Sequence, residues 1–227
     1  MMSAAEPASD SVPDQQALAR VGAIVRERLS ADPGVYRIEN DRVELFAVGE
    51  FLSLAECTTL CAMIDDVARP SSLHELDYAS GFRTSYSGDL DPHESFVKGI
   101  SRRIDDLLGL DPAIGEAVQG QRYLPGQQFQ PHNDWFYTSE KYWKLEEARG
   151  GQRSWTAMAY LNHVDAGGAT HFTELGFQIE PKPGVLLIWN NALHDGRPNE
   201  STMHAGMPVL KGAKYVITKW YRTRRWR

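Results

Sequence analysis

From Gln121 onward the chain breaks into short apolar or alternating runs separated by turn signals, and no other feature limits the possible fold so tightly. QRYLPGQQF, RSWTAMAYLNHV, ATHF, GFQIE, VLLIWNN and AKYVITKWYR are divided by DAGG, PKPG, HDGRPN and KG. Runs of this length suit strands, and the Gly, Pro, Asn and Asp between them supply the backbone angles that tight turns require. Many short strands with frequent turns bury their inner faces by closing into a sandwich or barrel. Residues 121–227 are therefore expected to form a mainly β core, a jelly roll.

Upstream the period changes. Leu18, Val21, Ile24, Val25 and Leu29 recur at helical spacing and predict a first helix over about Asp14 to Leu29. VELFAVGEFLS reads as a strand running into a turn. Ser53 and Glu56 have capping-box spacing, and Leu54, Cys57, Leu60, Cys61, Ile64 and Val67 form the stripe of the helix that follows. A third helix is expected from about Pro92 to Leu108, capped by Asp91, with Phe96, Ile100, Ile104 and Leu107 inward. Residues 17–120 are thus a helical support region with one leading strand, whose helices cover a face of the β core. Residues 1–16, MMSAAEPASDSVPDQQ, read as a disordered lead-in.

Charge and composition narrow the partners. The 227 residues carry a net charge of −6, which argues against a nucleic-acid partner. The tail KWYRTRRWR is basic but reads as a solvated end. No apolar run approaches the roughly 20 residues that span a bilayer, and the N-terminus has no basic stretch followed by an apolar one. Neither a membrane partner nor a secretory signal is expected. Cys57 and Cys61 lie on the stripe of one predicted helix and read as small core residues, not as a disulfide framework or zinc site. A cytoplasmic protein follows. The residues specify no oligomeric state.

The stretch PHNDW carries the first chemistry. On a strand, residues two apart share a face, so His132 and Asp134 point the same way. Such a pair inside a barrel is costly unless partnered. It is either a plain hydrogen-bonded pair or two ligands of a metal whose third ligand comes from another strand. Two histidines and one carboxylate with open positions suit non-haem iron and dioxygen chemistry. A second pair, His163 and Asp165, runs into Ala166-Gly167-Gly168 and is more naturally a hairpin end. His171, His194 and His204 are the later histidines that could complete a triad, and spacing alone does not choose among these readings.

HAGMPVLKGAKYVITKWYR resembles the C-terminal signature of the prolyl 4-hydroxylase-like branch of the 2-oxoglutarate- and Fe(II)-dependent dioxygenases, in which a metal-binding histidine precedes a lysine by ten residues. RYLPGQQFQPHNDWF is similar to that family's first metal segment, GGQRSWTAMAYLNHVDAGGATHF to its central strand pair, and FRTSYSG to its Arg-Thr-Ser element. The matches run in order from about Phe82 to Arg222. The resemblance implies a double-stranded β-helix with Fe(II) on His132, Asp134 and His204. It implies 2-oxoglutarate as cosubstrate, its distal carboxylate on Lys214 with hydroxyl help from Tyr123 and Thr170, and Tyr160 ranked behind these. A dicarboxylate entering a partly dry barrel does need a cation and hydroxyls at its far end. Dioxygen is the implied oxidant, and ascorbate a candidate reductant. The implied reaction decarboxylates 2-oxoglutarate to succinate and hydroxylates an unactivated C–H bond. Related halogenases carry a small residue in place of the carboxylate, so Asp134 favours hydroxylation.

For substrate, the resemblance places Arg153 and Arg83 beside a peptide, although either residue also fits a surface salt bridge. Phe129 departs from the tyrosine common in collagen-type relatives. FYTSEKYWKLEEARGGQR, between the two core motifs, reads either as a lid over substrate or as an excursion packed on the rim. The leading expectation is hydroxylation of proline within a peptide or protein. One alternative is a free amino acid or small metabolite, for which no unassigned acid obviously serves the ammonium. Another is a metal-binding jelly-roll sensing module, which would have no use for Lys214.

Overall fold

The computed structural model describes residues 14–71 and 81–227. Its first half holds α1 (Gln15–Ala31), β1 (Val35–Arg37), β2 (Leu45–Val48), α2 (Leu54–Val67), β3 (Arg69–Pro70), β4 (Tyr86–Asp89), α3 (Ser95–Leu108), β5 (Gln119–Tyr123) and β6 (Phe129–His132). The second half holds α4 (Trp143–Arg149), β7 (Arg153–Tyr160), β8 (Ala166–Gly167), β9 (Thr170–Phe172), β10 (Phe177–Ile179), β11 (Leu186–Asn190), β12 (His204–Gly206), β13 (Val209–Lys211) and β14 (Lys214–Arg222). An eight-stranded sheet has the order β1-β2-β11-β7-β14-β5-β4-β3, and a four-stranded sheet the order β10-β9-β12-β6. Every pairing is antiparallel, as the short turns require. This is the expected double-stranded β-helix.

The large sheet is buried on both faces, and its sequence shows why. On β7, β11 and β14, Ala157, Ala159, Ile188 and Ile217 join the helices in one core, with Val25, Leu60, Ile64, Ile100 and Ile104. The alternate residues Met158, Tyr160, Leu187, Trp189 and Val216 form a second core with Tyr123 and Phe172 between the sheets. Strands buried on both sides read as continuous apolar runs, which VLLIW is. At Gly120 a Cβ would lie 2.3 Å from Ile64 Cγ1, so only glycine lets α2 press this close to β5.

Several helical expectations shift. The capping box of Ser53 and Glu56 is present in both directions. α3 begins at Ser95 with Glu94 as N-cap, and Asp91 instead accepts from His93 N in the turn before it, 2.9 Å. Ile24 and Leu54 are exposed; on α1, Gly22 is buried instead, against Asn190. The lead-in falls largely on residues outside the described ones, while Gln15 and Gln16 are already helical. The support region also supplies strands: β1 to β4 all enter the large sheet. Among the described residues no helix is long and apolar enough to cross a membrane.

Candidate active site

His132 ends β6 and His204 begins β12, and the antiparallel register sets them directly opposite each other. Asp134 follows two residues later, and nitrogen or oxygen atoms of all three lie within 4.8 Å of one another. Each histidine is oriented by its own backbone: Nδ1 of His132 lies 2.8 Å from Gln130 O, and Nδ1 of His204 lies 2.9 Å from Thr202 O. A carbonyl only accepts, so each Nδ1 carries the proton and each Nε2 lone pair is left for a metal. Burial, together with His204 nearby, pushes the His132 pKa down to about 3, so the ring is neutral at neutral pH. Asp134 accepts from Thr156 Oγ1 at 2.8 Å, and Thr156 in turn accepts from Asn191 Nδ2 at 2.9 Å. Burial alone would raise the Asp134 pKa; His204, His132 and Arg153 beside it, with hydrogen bonding to the carboxylate, outweigh that and hold the pKa low. Phe129 stacks on His132, ring centroids 3.5 Å apart, and Trp189 lies edge-on to His204 at 5.0 Å. Two imidazoles oriented through Nδ1, one carboxylate and an apolar surround are a donor set that fits Fe(II).

One face of β14 runs the length of the adjoining cavity, which has a volume of about 360 Å³: Lys214, Val216, Thr218, Trp220 and Arg222 all line it. At the inner end Lys214 is 2% exposed and forms no ion pair among the described residues. Burial pushes its pKa down to about 7, against a smaller pull from Glu180. Its ammonium lies 3.4 Å from Thr170 Oγ1, and Thr170 also accepts from Tyr160 OH at 2.7 Å. With both those bonds received, the Thr170 hydroxyl proton is left to donate. Tyr123 faces Lys214 with its ring, 5.5 Å from the ammonium, while its hydroxyl donates to Gln121 at 2.8 Å. Tyr160 is thus joined more directly to Thr170 than Tyr123 is. A buried cation with no anion is costly, and a ligand carboxylate is what this end fits.

The outer end differs. Arg153 donates to both oxygens of Glu116, at 2.7 and 2.8 Å, and its third nitrogen stands 4.0 Å from Asp134. Arg222 donates to Glu116 at 2.5 Å and to Glu146 of α4 at 2.6 Å. Phe136 lies under both guanidiniums, 4.8 and 4.5 Å from its ring. Arg83 sits over Phe129, 4.7 Å from the ring, with polar bonds to Ser85 and Gln119 and no ion pair among the described residues. Both arginines named from sequence are therefore in the cavity wall. His163 and Asp165 are not, and His194 lies 3.1 Å from Glu44 instead. Sequence reasoning missed Glu116, Glu146 and Arg222. The signal was there: Arg222 lies on the same alternating face as Lys214, and an inward arginine needs acids. The stretch between the motifs forms α4, packed on the rim through Glu146. The basic tail keeps Arg224, Arg225 and Arg227 exposed, but its backbone is held to the fold. Arg224 pairs with Asp14, Arg224 N and Arg227 N donate to Gly150 and Arg149, and Trp226 lines the cavity.

Residues 118–222 match the 2OG-Fe(II) oxygenase superfamily. The chain is 31% identical over 204 residues to probable prolyl 4-hydroxylase 8 of Arabidopsis thaliana, covering 78% of this chain and 67% of that one. It belongs to the 2-oxoglutarate- and Fe(II)-dependent oxygenases, and its His-Asp-His face fits the metal for which that family is named. Within that class it is prolyl 4-hydroxylase-like. It is 33% identical over 201 residues to prolyl 4-hydroxylase subunit alpha-1 of Rattus norvegicus, 85% of this chain but 37% of that subunit. The chain thus spans about a third of the length of such alpha subunits. The viral collagen prolyl hydroxylase of Paramecium Bursaria Chlorella virus-1, solved with 2-oxoglutarate, superposes with a TM-score of 0.62 at 26% identity, over 78% of this chain and 95% of that one.

Proposed function

We propose that the protein hydroxylates proline within a peptide or protein, holding Fe(II) on His132, Asp134 and His204 and the distal carboxylate of 2-oxoglutarate on Lys214 and Thr170, with Tyr160 and Tyr123 beside them. The observation that carries this is Lys214, a buried ammonium without an anion beside an oriented His-Asp-His face. Bound there, Fe(II), 2-oxoglutarate and dioxygen supply the oxidation: the cosubstrate becomes succinate and carbon dioxide, and one oxygen atom enters a C–H bond. The chain's own residues do the rest. The two Nδ1 hydrogen bonds fix which nitrogens face the metal. Thr156 holds one Asp134 oxygen, Phe129 and Trp189 exclude water from the histidines, and Arg153, braced by Glu116, orients the other side of Asp134. Arg83 and the free edge of Arg153 are placed to meet substrate carbonyls.

A peptide is favoured because the outer cavity is bounded by paired charges and aromatic faces, which suit an uncharged extended chain. Anaerobic addition of Fe(II) and 2-oxoglutarate should give a weak visible band. Aerobic turnover of proline-containing peptides should yield succinate and a mass gain of one oxygen. Arg153→Ala should raise the peptide KM and spare 2-oxoglutarate binding. Efficient turnover of free amino acids but not of peptides would replace this reading. One observation favours that alternative: the exposed Asp89 lines the cavity, linked through Gln119 to Arg83 by long 3.4 and 3.3 Å bonds, and is an acid that an ammonium would meet. Ascorbate belongs to the proposal as the reductant that keeps the iron ferrous; omitting it should shorten the linear phase of turnover. A cytoplasmic setting is supported by the unpaired thiols of Cys57 and Cys61, and localisation of the tagged protein in its host would test it.

A further inference from the structure

Beyond the outer wall of the catalytic cavity lies a second cavity of about 250 Å³, and the two share Glu116, Ala117 and Trp226. The second is lined further by Pro92, Val97, Pro112 and Ala113, with the exposed Lys98 at its border. Lys219 also borders it, but its ammonium is taken up by Asp105 and by Ser101, the latter at 2.7 Å, so the wall receives mainly its apolar stem. Trp226 is the partition. Its N–H donates to Ala113 O at 2.8 Å, while Arg224 N and Arg227 N on either side donate to Gly150 O and Arg149 O, both at 3.0 Å. The segment 223–227 is gripped again by Asp14, which accepts from Thr223 Oγ1 at 2.8 Å and Arg224 at 2.5 Å. Gly151, with φ 78° and Asp14 Oδ2 only 2.3 Å from where a Cβ would stand, allows this close approach. The indole is therefore carried on a backbone fixed at three places.

We propose that Trp226 is a specificity-determining residue, and that with the second cavity it receives an apolar ring-bearing side chain, proline foremost, flanking the residue that is hydroxylated. This rests on the peptide reading above. The two cavities meet at Glu116, Ala117 and Trp226, so an extended chain that leaves the metal towards the second cavity passes the indole. Extended chains advance about 3 Å per residue, so the flanking side chain is only a few residues away. A rigid indole gives a flat face to a proline ring, and such contacts discriminate by shape and desolvation, not by charge.

The experiment is a kcat/KM scan of peptides of fixed length with one hydroxylatable proline, in which each flanking position in turn is proline, glycine or glutamate. One flanking position should prefer proline over glutamate by about tenfold or more. Trp226→Ala should bring that preference to within about twofold, and Trp226→Phe should retain most of it. Ala113→Phe, which fills the second cavity and leaves Trp226 in place, should abolish the same preference at the same position. Kd for 2-oxoglutarate, measured on each variant, reports whether the core is intact. Peptides turned over with an undiminished preference in folded Trp226→Ala and Ala113→Phe would overturn this inference alone. Failure to turn over any peptide would overturn the peptide reading and this inference with it.

Discussion

Lys214 is a buried cation and Arg153 a largely buried one on the same cavity, yet they are built in opposite ways. Lys214 has a threonine hydroxyl at 3.4 Å and, among the described residues, no carboxylate partner, and burial drives its pKa down to about 7. Arg153 is held through two bonds to Glu116 and lies between aromatic faces; there the acid outweighs burial and its pKa is raised. The difference separates a cation that the fold has already paired from one that it has not. A charge with a partner in the fold is fixed in place, and only its remaining edge is left for substrate. A buried charge without one is a standing cost, which a ligand of opposite sign removes.

The contrast presupposes a metal between the two cations, and removing it has the largest expected effect. Asp134→Ala or His204→Ala should lower Fe(II) affinity by more than the roughly 10- to 100-fold typical of losing a supporting group, measured by equilibrium dialysis, while His163→Ala should leave it unchanged. If His163→Ala abolished binding and His204→Ala did not, the trio would be misassigned.

Stability should move in opposite directions at the two cations. The Lys214 pKa in the fold, about 7, lies below its unfolded value. Between the two the unfolded chain binds the extra proton, so ligand-free stability should rise as pH climbs from about 7 towards 10. Below about pH 7 the full cost applies, on the order of 4 kcal/mol. Lys214→Met should therefore stabilise the ligand-free protein at neutral pH and flatten that pH dependence, read by urea denaturation. Arg153→Met should instead destabilise it by about 3 kcal/mol, because Glu116 loses a buried partner. Equal and same-signed changes would erase the distinction.

Ligand affinity sharpens it. Lys214→Ala should weaken 2-oxoglutarate binding by roughly 10- to 150-fold, the equivalent of a charge-assisted bond of about 1.5–3 kcal/mol. Above about pH 7 the ammonium must regain its proton to bind, so wild-type affinity should fall about tenfold per pH unit. A flat pH profile in calorimetry would count against an unpaired Lys214. The smallest effect is expected at Thr156→Val, which removes the bond to Asp134 and should cost about tenfold in metal affinity.

How far the sequence reached follows the same division. Alternation along a strand pointed to His132 and Asp134, and the family spacing alone to His204 and Lys214; the structure brings the four to one cavity. The acids that pair with the arginines were not legible. Arg222 shares the alternating face of Lys214 and could have been read from it, but Glu116 and Glu146 reach it from a loop and α4, and no local period relates positions so far apart. Tyr160 was ranked behind Tyr123 because sequence gives two tyrosines near one lysine but not which hydroxyl reaches Thr170. The tail was read as solvated on its charge, and the structure uses its backbone to carry Trp226. Ile24 and Leu54 show the opposite error, in which an apolar side chain on a helical stripe stays in water.

β14 has a further consequence, for how the protein reaches this state. It lies between β7 and β5, and it alone joins β1-β2-β11-β7 to β5-β4-β3 in the large sheet. Its partners are distant in sequence: Val216 pairs with Tyr160, and Lys214 with Tyr123. Non-local pairings of this kind slow folding, and before β14 inserts, β7 and β5 each present an unpaired edge. Refolding should therefore pass through two half-sheets with open borders, prone to association between molecules. Because Lys214 arrives with the closing strand, 2-oxoglutarate should act on the completed fold, slowing its unfolding far more than it speeds its formation.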